Sequence, residues 1–82
     1  MYYDNRDEAE RFIERVAEEV LGEMKQEDKD SMALHPDPFL YHFGLGLYIR
    51  NKYIHGQELG FSCFDPDDLS SDIIERIINK LK

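Results

Sequence analysis

Tryptophan is absent from this 82-residue chain, cysteine occurs once, and only three prolines and five glycines interrupt it. The lone thiol, Cys63, has no partner for an internal disulfide. One cysteine and three scattered histidines fall short of a zinc ligand set. His35 and His42 lie seven apart, which is not a metal-ligand spacing, so neither metal nor cofactor is expected. No apolar run approaches membrane-spanning length, and the opening Met-Tyr-Tyr-Asp-Asn-Arg-Asp-Glu is not a secretory signal. The cytoplasm is the default expectation. Positive charge is scarce: ten Lys and Arg stand against eighteen Asp and Glu, for a formal net charge of −8. Such a chain is repelled by nucleic acid and anionic membranes unless its charge is strongly segregated. The segregation runs the wrong way for nucleic acid, with acidic residues crowding the first thirty positions and the last third. The basic residues of the middle, Arg50 and Lys52 with His55 nearby, make at most a small basic face.

What is present suits one small domain spanning 1–82. A hydrophobic fraction of 41% with 12% aromatics is ordinary for a globular protein and too high for a disordered one. A chain this short buries about 60–65% of its unfolded surface, which makes its expected stability modest, and its length leaves no room for separate catalytic and regulatory domains. Asp4 or Asn5 can cap a first helix, with Asp7 and Glu8 well placed against its dipole. Ala9, Phe12, Ile13, Val16, Val20 and Met24 then repeat at helical spacing, opposite a charged face with Asp7–Arg11 and Arg15–Glu19 four apart. That face reads as solvated surface. A polar turn follows, opening a short helix with Met32, Ala33 and Leu34 inward. His35-Pro36-Asp37-Pro38 breaks the chain, and Pro38 begins the next helix with Asp37 as cap.

The most apolar stretch comes next, from Phe39 to His55. Phe39, Phe43, Leu47 and Tyr48 share one helical face, and Leu40, Ile49 and Tyr53 widen it, which predicts a helix from Pro38 to His55 buried on several sides. A strand competes for Gly46 to Ile54, but length and spacing favour helix. Gly44 and Gly46 are poor helix formers, so close packing is their expected use. Gly56 stops the helix, and Leu59, Phe61 and Phe64 return to the core, with Cys63 among them as a buried inert thiol. The last helix starts with Asp65 as cap and Pro66 as first residue, and carries Leu69, Ile73, Ile77 and Leu81 on one stripe, joined by Ile74 and Ile78. The expected fold is all-α: a small bundle of three main helices plus a short one, the central apolar helix packed between the N- and C-terminal helices.

The blocks H-F-G-L-G-L-Y-I-R-N and D-P-D-D-L-S-S-D-I-I resemble a family of small uncharacterised bacterial proteins, a domain of unknown function. That family carries an H-F-G-x-G-x-x-I-R-N block followed by a P-D-D-x-S-x-x-I-I block. The likeness covers Pro36 to about Leu81. Family members commonly continue with Leu-Trp where Tyr53-Ile54-His55 stands here. The resemblance implies a small helical domain without a settled activity, and points to His42, Gly44, Gly46, Arg50, Asn51, Pro66, Asp67, Asp68 and Ser70.

Arg50 ends an apolar helix and needs an anionic partner, for which Asp67 or Asp68 is the candidate. An arginine–carboxylate clamp between helices is a common structural device. The functional alternative is that His42, Arg50 and Asn51 line a groove for an anionic group. Arg50 to His55 also resembles the Arg-x4-His pattern of HEPN-type ribonucleases, which would imply that Arg50 and His55, paired across a dimer, act on the RNA 2′-hydroxyl. Asp65, Asp67 and Asp68 lack the glycine and glutamate of a calcium loop, so capping explains them better. The reading favoured is a small acidic, non-enzymatic interaction protein in a bacterial or phage-like setting, of inhibitor, immunity or adaptor type. It would bind a protein partner through an acidic face or the edge of its aromatic core, and admits a homodimer. The rival is a small HEPN-like ribonuclease.

Overall fold

The computed structural model describes residues 6–55 and 65–82. Among them every regular element is helical: α1 spans Arg6–Glu23, α2 Gln26–Leu34, α3 Leu45–Ile49 and α4 Pro66–Leu81. A 3₁₀ turn at Pro38–Tyr41 precedes α3, and a π-helical turn at Arg50–Ile54 continues it. The all-α expectation holds, with α1 and α4 packing against the middle elements. The expected cap at Asp4 or Asn5, the stop at Gly56 and the packing of Leu59, Phe61, Cys63 and Phe64 lie outside the described residues. No helix among the described residues is long and apolar enough to cross a membrane.

The core is organised on α4, which packs against α1, α2, α3 and both flanking turns. Its leucine and isoleucines recur every three or four residues, and Leu69, Ile73, Ile74, Ile77 and Ile78 are all buried. Facing them are Ala9, Phe12, Ile13, Val16, Ala17 and Val20 from α1, Met32 from α2, and Ile49 and Ile54 from the middle. Each fully buried side chain of this size contributes roughly 1.5–3 kcal/mol, more than a typical surface ion pair. The start of α4 follows its sequence: Asp65 is extended, its carboxylate accepts the Asp67 N–H at 2.9 Å, and Pro66 is the first helical residue. Asp65→Ala is expected to lower stability by about 1 kcal/mol, read as a fall in the urea midpoint at unchanged slope.

The charged face of α1 is only partly solvated. Arg76 of α4 bridges Glu10 at 2.5 Å and Glu14 at 2.8 Å, while Lys80 bridges Glu14 and, at 2.8 Å, Glu18. Along α1 itself Arg15 pairs with Glu19 at 3.7 Å, whereas Arg11 pairs with Glu8 rather than Asp7. Hydrogen bonds from Lys80, then Arg76, hold the Glu14 carboxyl below its ordinary 4.5. A carboxyl lowered in the folded state contributes stability that is present above pH 4.5 and is lost as pH falls through the folded value. Because nearly half of the Glu14 side chain faces solvent, the effect is screened and small. In Glu14→Gln the decline of the urea midpoint below pH 4.5 should flatten relative to the parent, and the difference should shrink in high salt.

The middle segment departs from expectation. In place of one helix from Pro38 to His55 there are a 3₁₀ turn, a bend at His42–Gly44, the short α3 and a π-helical turn. Nor is it buried on several sides: Phe39 is 71% exposed, Leu40 61%, Phe43 74%, Leu47 50% and Tyr48 42%. The face turned inward carries Gly46, Ile49, Arg50 and Ile54, with Tyr41, Leu45 and Tyr53 half-buried beside it. The reason is geometric. The apolar stripes of α1 and α4 pack directly on each other, so the middle segment lies mainly against α4 and can cover one face only. Met32 does point inward, but Ala33 and Leu34, each turned about 100° further round the helix, are exposed.

Candidate functional site

The two sequence blocks meet at Arg50. Its guanidinium is nearly enclosed, the residue being 8% exposed at the junction of α3 and the π-helical turn. Nε lies 3.2 Å from Asp67 Oδ1, Nη1 donates to Ser70 Oγ at 3.0 Å, and Nη2 makes a longer bond to the His42 carbonyl at 3.4 Å. The Ser70 hydroxyl, fully buried, donates in turn to the Asp67 carbonyl at 2.9 Å. Its oxygen is thereby left facing the arginine. The wide π-helical turn, closed by the His55 N–H on the Arg50 carbonyl at 2.8 Å, keeps Arg50 and Ile54 on the same inward face.

Gly46 makes room for this arrangement. A methyl group there would sit 3.0 Å from Arg50 Nη1, 3.5 Å from the Tyr41 carbonyl and 3.6 Å from Ile74 Cδ1. Gly44 does not share the role: no described residue lies within 4 Å of a methyl placed on it. Its expected close packing is therefore corrected. The two glycines should behave oppositely on substitution. Gly44→Ala is expected to be neutral or to stabilise by up to about 1 kcal/mol, through the reduced freedom of the unfolded chain. Gly46→Ala should destabilise, because the arginine it displaces is held by three acceptors. Paired urea titrations check this.

The other candidate residues fall outside the clamp. Asp68 is exposed and makes no ion pair with Arg50 among the described residues, so Asp67 is the clamp carboxylate. Asn51 is exposed and takes no part. His42 contributes its carbonyl rather than its imidazole, whose ring stands edge-on to Phe43 at 5.0 Å. His55 is exposed, with extended backbone, just past the helix end, while Arg50 is buried.

A second cluster has no counterpart in the sequence reading. Glu23, at the end of α1, accepts from Tyr48 Oη at 3.1 Å, from Tyr53 Oη at 2.9 Å and from the Lys52 ammonium. Lys52 Nζ also lies 5.5 Å from the Tyr48 ring centroid and 5.3 Å from that of Tyr53, within cation–π range. The Lys52 bond, then that of Tyr53, lowers the Glu23 carboxyl, while burial first and Glu23 second raise the Tyr53 phenol. Three donors converge on one carboxylate, which ties α1 to the middle segment. The Tyr48–Lys52 spacing was visible as an i,i+4 pair, but Glu23 lies too far along the chain for any local pattern to assign it.

Between α2 and α3 runs an apolar cleft of about 350 Å³ lined by Met24, Met32, Tyr41, Gly44, Leu45 and Tyr48, with Asp28 and Ser31. Its chain neighbours Leu40, Phe43 and Leu47 stand out on the surface beside it, and the Phe39 and Phe43 rings meet edge-on at 6.4 Å. No three His, Cys, Asp or Glu side chains among the described residues are grouped to hold a metal ion. No family model, curated protein or solved structure matches the chain.

Proposed function

We propose that this protein is a non-catalytic interaction module that binds a protein partner through the apolar face of its middle segment. The observation that carries this is the exposure of Phe39, Leu40, Phe43 and Leu47 in a stretch, Pro38 to Ile49, that holds no Asp, Glu, Lys or Arg. Grouped apolar side chains of this size on a small domain mark interaction surfaces, whereas single ones do not. The acidic face of α1 is the weaker candidate, because Glu10, Glu14, Glu18 and Glu23 already hold cations of the same chain. Inhibitor, immunity and adaptor roles all belong to this class.

The clamp weighs against the ribonuclease reading. Arg50 spends its donors on Asp67, Ser70 and the His42 carbonyl, so a scissile phosphate would have to displace them. The test pairs two measurements. A partner recovered by the parent chain at stoichiometric level should be lost with Phe43→Asp and retained with Glu27→Lys, a change on the exposed acidic surface. RNA cleavage by the purified protein that vanishes in His55→Ala, with the fold intact, would sink the binding-only reading.

A further inference from the structure

The exposed face suggests its own occupant. Phe39, Leu40, Phe43, Leu47 and Tyr48 of the middle segment are each between 42% and 74% exposed. Together they present on the order of 600 Å² of accessible surface, the larger part of the ~800 Å² that each partner contributes to a stable protein interface. The face also carries a projection beside a recess. Phe43, 74% exposed, stands next to the apolar cleft of about 350 Å³, which is roomy enough for a phenyl ring. A surface with a knob and a hole side by side is self-complementary about a two-fold axis, since each copy's knob can meet the other's hole. Charge selects the same face. Two chains of net charge −8 repel each other over most of their surface, whereas the stretch between Asp37 and Arg50 carries no carboxylate of its own and the cleft beside it is lined by a single one, Asp28.

We propose that two copies of this chain associate about a two-fold axis through their middle segments, Phe43 of each entering the cleft between α2 and α3 of the other. This rests on the apolar-face reading above and names the partner of that face. Phe43 and Leu47 are at least half exposed in a single chain, so changing them disturbs the interface and spares the core. Gly44 lines the cleft and no described residue lies within 4 Å of a methyl placed on it, so a bulky residue there fills the hole from within.

Sedimentation equilibrium from about 1 to about 200 µM tests the proposal. The weight-average mass should climb from 9.7 kDa towards twice that value. Raising NaCl from ~50 to ~500 mM should strengthen association, because salt screens the repulsion and leaves the apolar contact intact. A contact with a cationic partner would weaken instead. Phe43→Asp, Leu47→Asp and Gly44→Trp should each weaken the dimer on the order of 100-fold while far-ultraviolet circular dichroism stays unchanged. A dimer indifferent to all three variants overturns the proposal by placing the contact elsewhere. A chain that stays monomeric throughout overturns it as well, and binding of the dye 8-anilinonaphthalene-1-sulfonate then separates the two levels. Dye bound by the parent and lost in Phe43→Asp leaves the apolar-face reading standing with a different occupant. No dye bound by the parent overturns both.

Discussion

Arg50→Ala is expected to lower stability by about 3 kcal/mol, a large share of what a domain of this size possesses. The figure comes from what the substitution strands. Ser70 Oγ is fully buried, and its proton is already committed to the Asp67 carbonyl, so the lone pairs facing Arg50 lose their donor. The His42 carbonyl loses a weaker one. The volume of a nearly enclosed guanidinium also empties beside Gly46. One term is smaller than usual for a broken clamp: Asp67 is 59% exposed and is rehydrated, so no unpaired buried anion remains. For the same reason Asp67→Asn should cost less, about 1–2 kcal/mol, and Asp68→Asn close to nothing. Arg50→Met, which keeps the stem and drops the charge, should fall between Arg50→Ala and the parent. Urea titrations followed by circular dichroism give the ordering directly. Equal losses for Asp67→Asn and Asp68→Asn would show that the ion pair is not what holds the two blocks together.

That ordering bears on how the site was legible in the sequence. An arginine at the end of an apolar run must find an anion or an acceptor, because burying it alone is prohibitive. The Asp-Asp pair at the start of α4 was the natural place to look. What the sequence left open was which carboxylate, and the rotation of the first turn of α4 decides that: Asp67 faces the arginine and Asp68 the solvent. Ser70 was marked only by the resemblance, with no partner assigned to it. Its burial follows from sitting one residue after Leu69 on the inward side of α4, a fact about neighbours rather than spacing.

The helices themselves were read from local chemistry and came out well where one face is apolar and the ends are marked. α4, with Asp65, Pro66 and its isoleucine stripe, is the clearest case. The middle segment is the opposite case. Its residues are apolar on nearly every side, so periodicity had no polar face to contrast with and could not say which side would be covered. Its helix also passes through 3₁₀ and π geometry, which a constant 3.6-residue period cannot represent. Coverage is set by partners, and α1 prefers α4. The Glu23 cluster failed for a related reason, since its members are joined by the way α1 ends beside the middle segment.

Ile74→Ala is the second change with a large expected effect, at about 3–4 kcal/mol within the range seen when buried isoleucine or leucine is cut to alanine. Ile74 is fully buried, and its Cδ1 lies 3.6 Å from where a methyl on Gly46 would be. Truncation therefore opens a void directly beneath the glycine that makes room for the Arg50 guanidinium. The backbone above that void is held by the clamp and is poorly placed to collapse into it, which puts the loss towards the upper part of the range. The same geometry predicts coupling. With the clamp weakened by Arg50→Met, the middle segment is freer to settle into the space, so the double variant should lose less than the two single losses added, by about 0.5–1 kcal/mol. Ile77→Ala, also fully buried but three residues further along α4, should cost a similar amount alone and add to Arg50→Met with little coupling. A double-mutant cycle from urea titrations measures both. Equal coupling for Ile74 and Ile77 would mean that Arg50 stiffens the whole core, and strict additivity for Ile74 would mean that the clamp and the isoleucine core stabilise the fold independently.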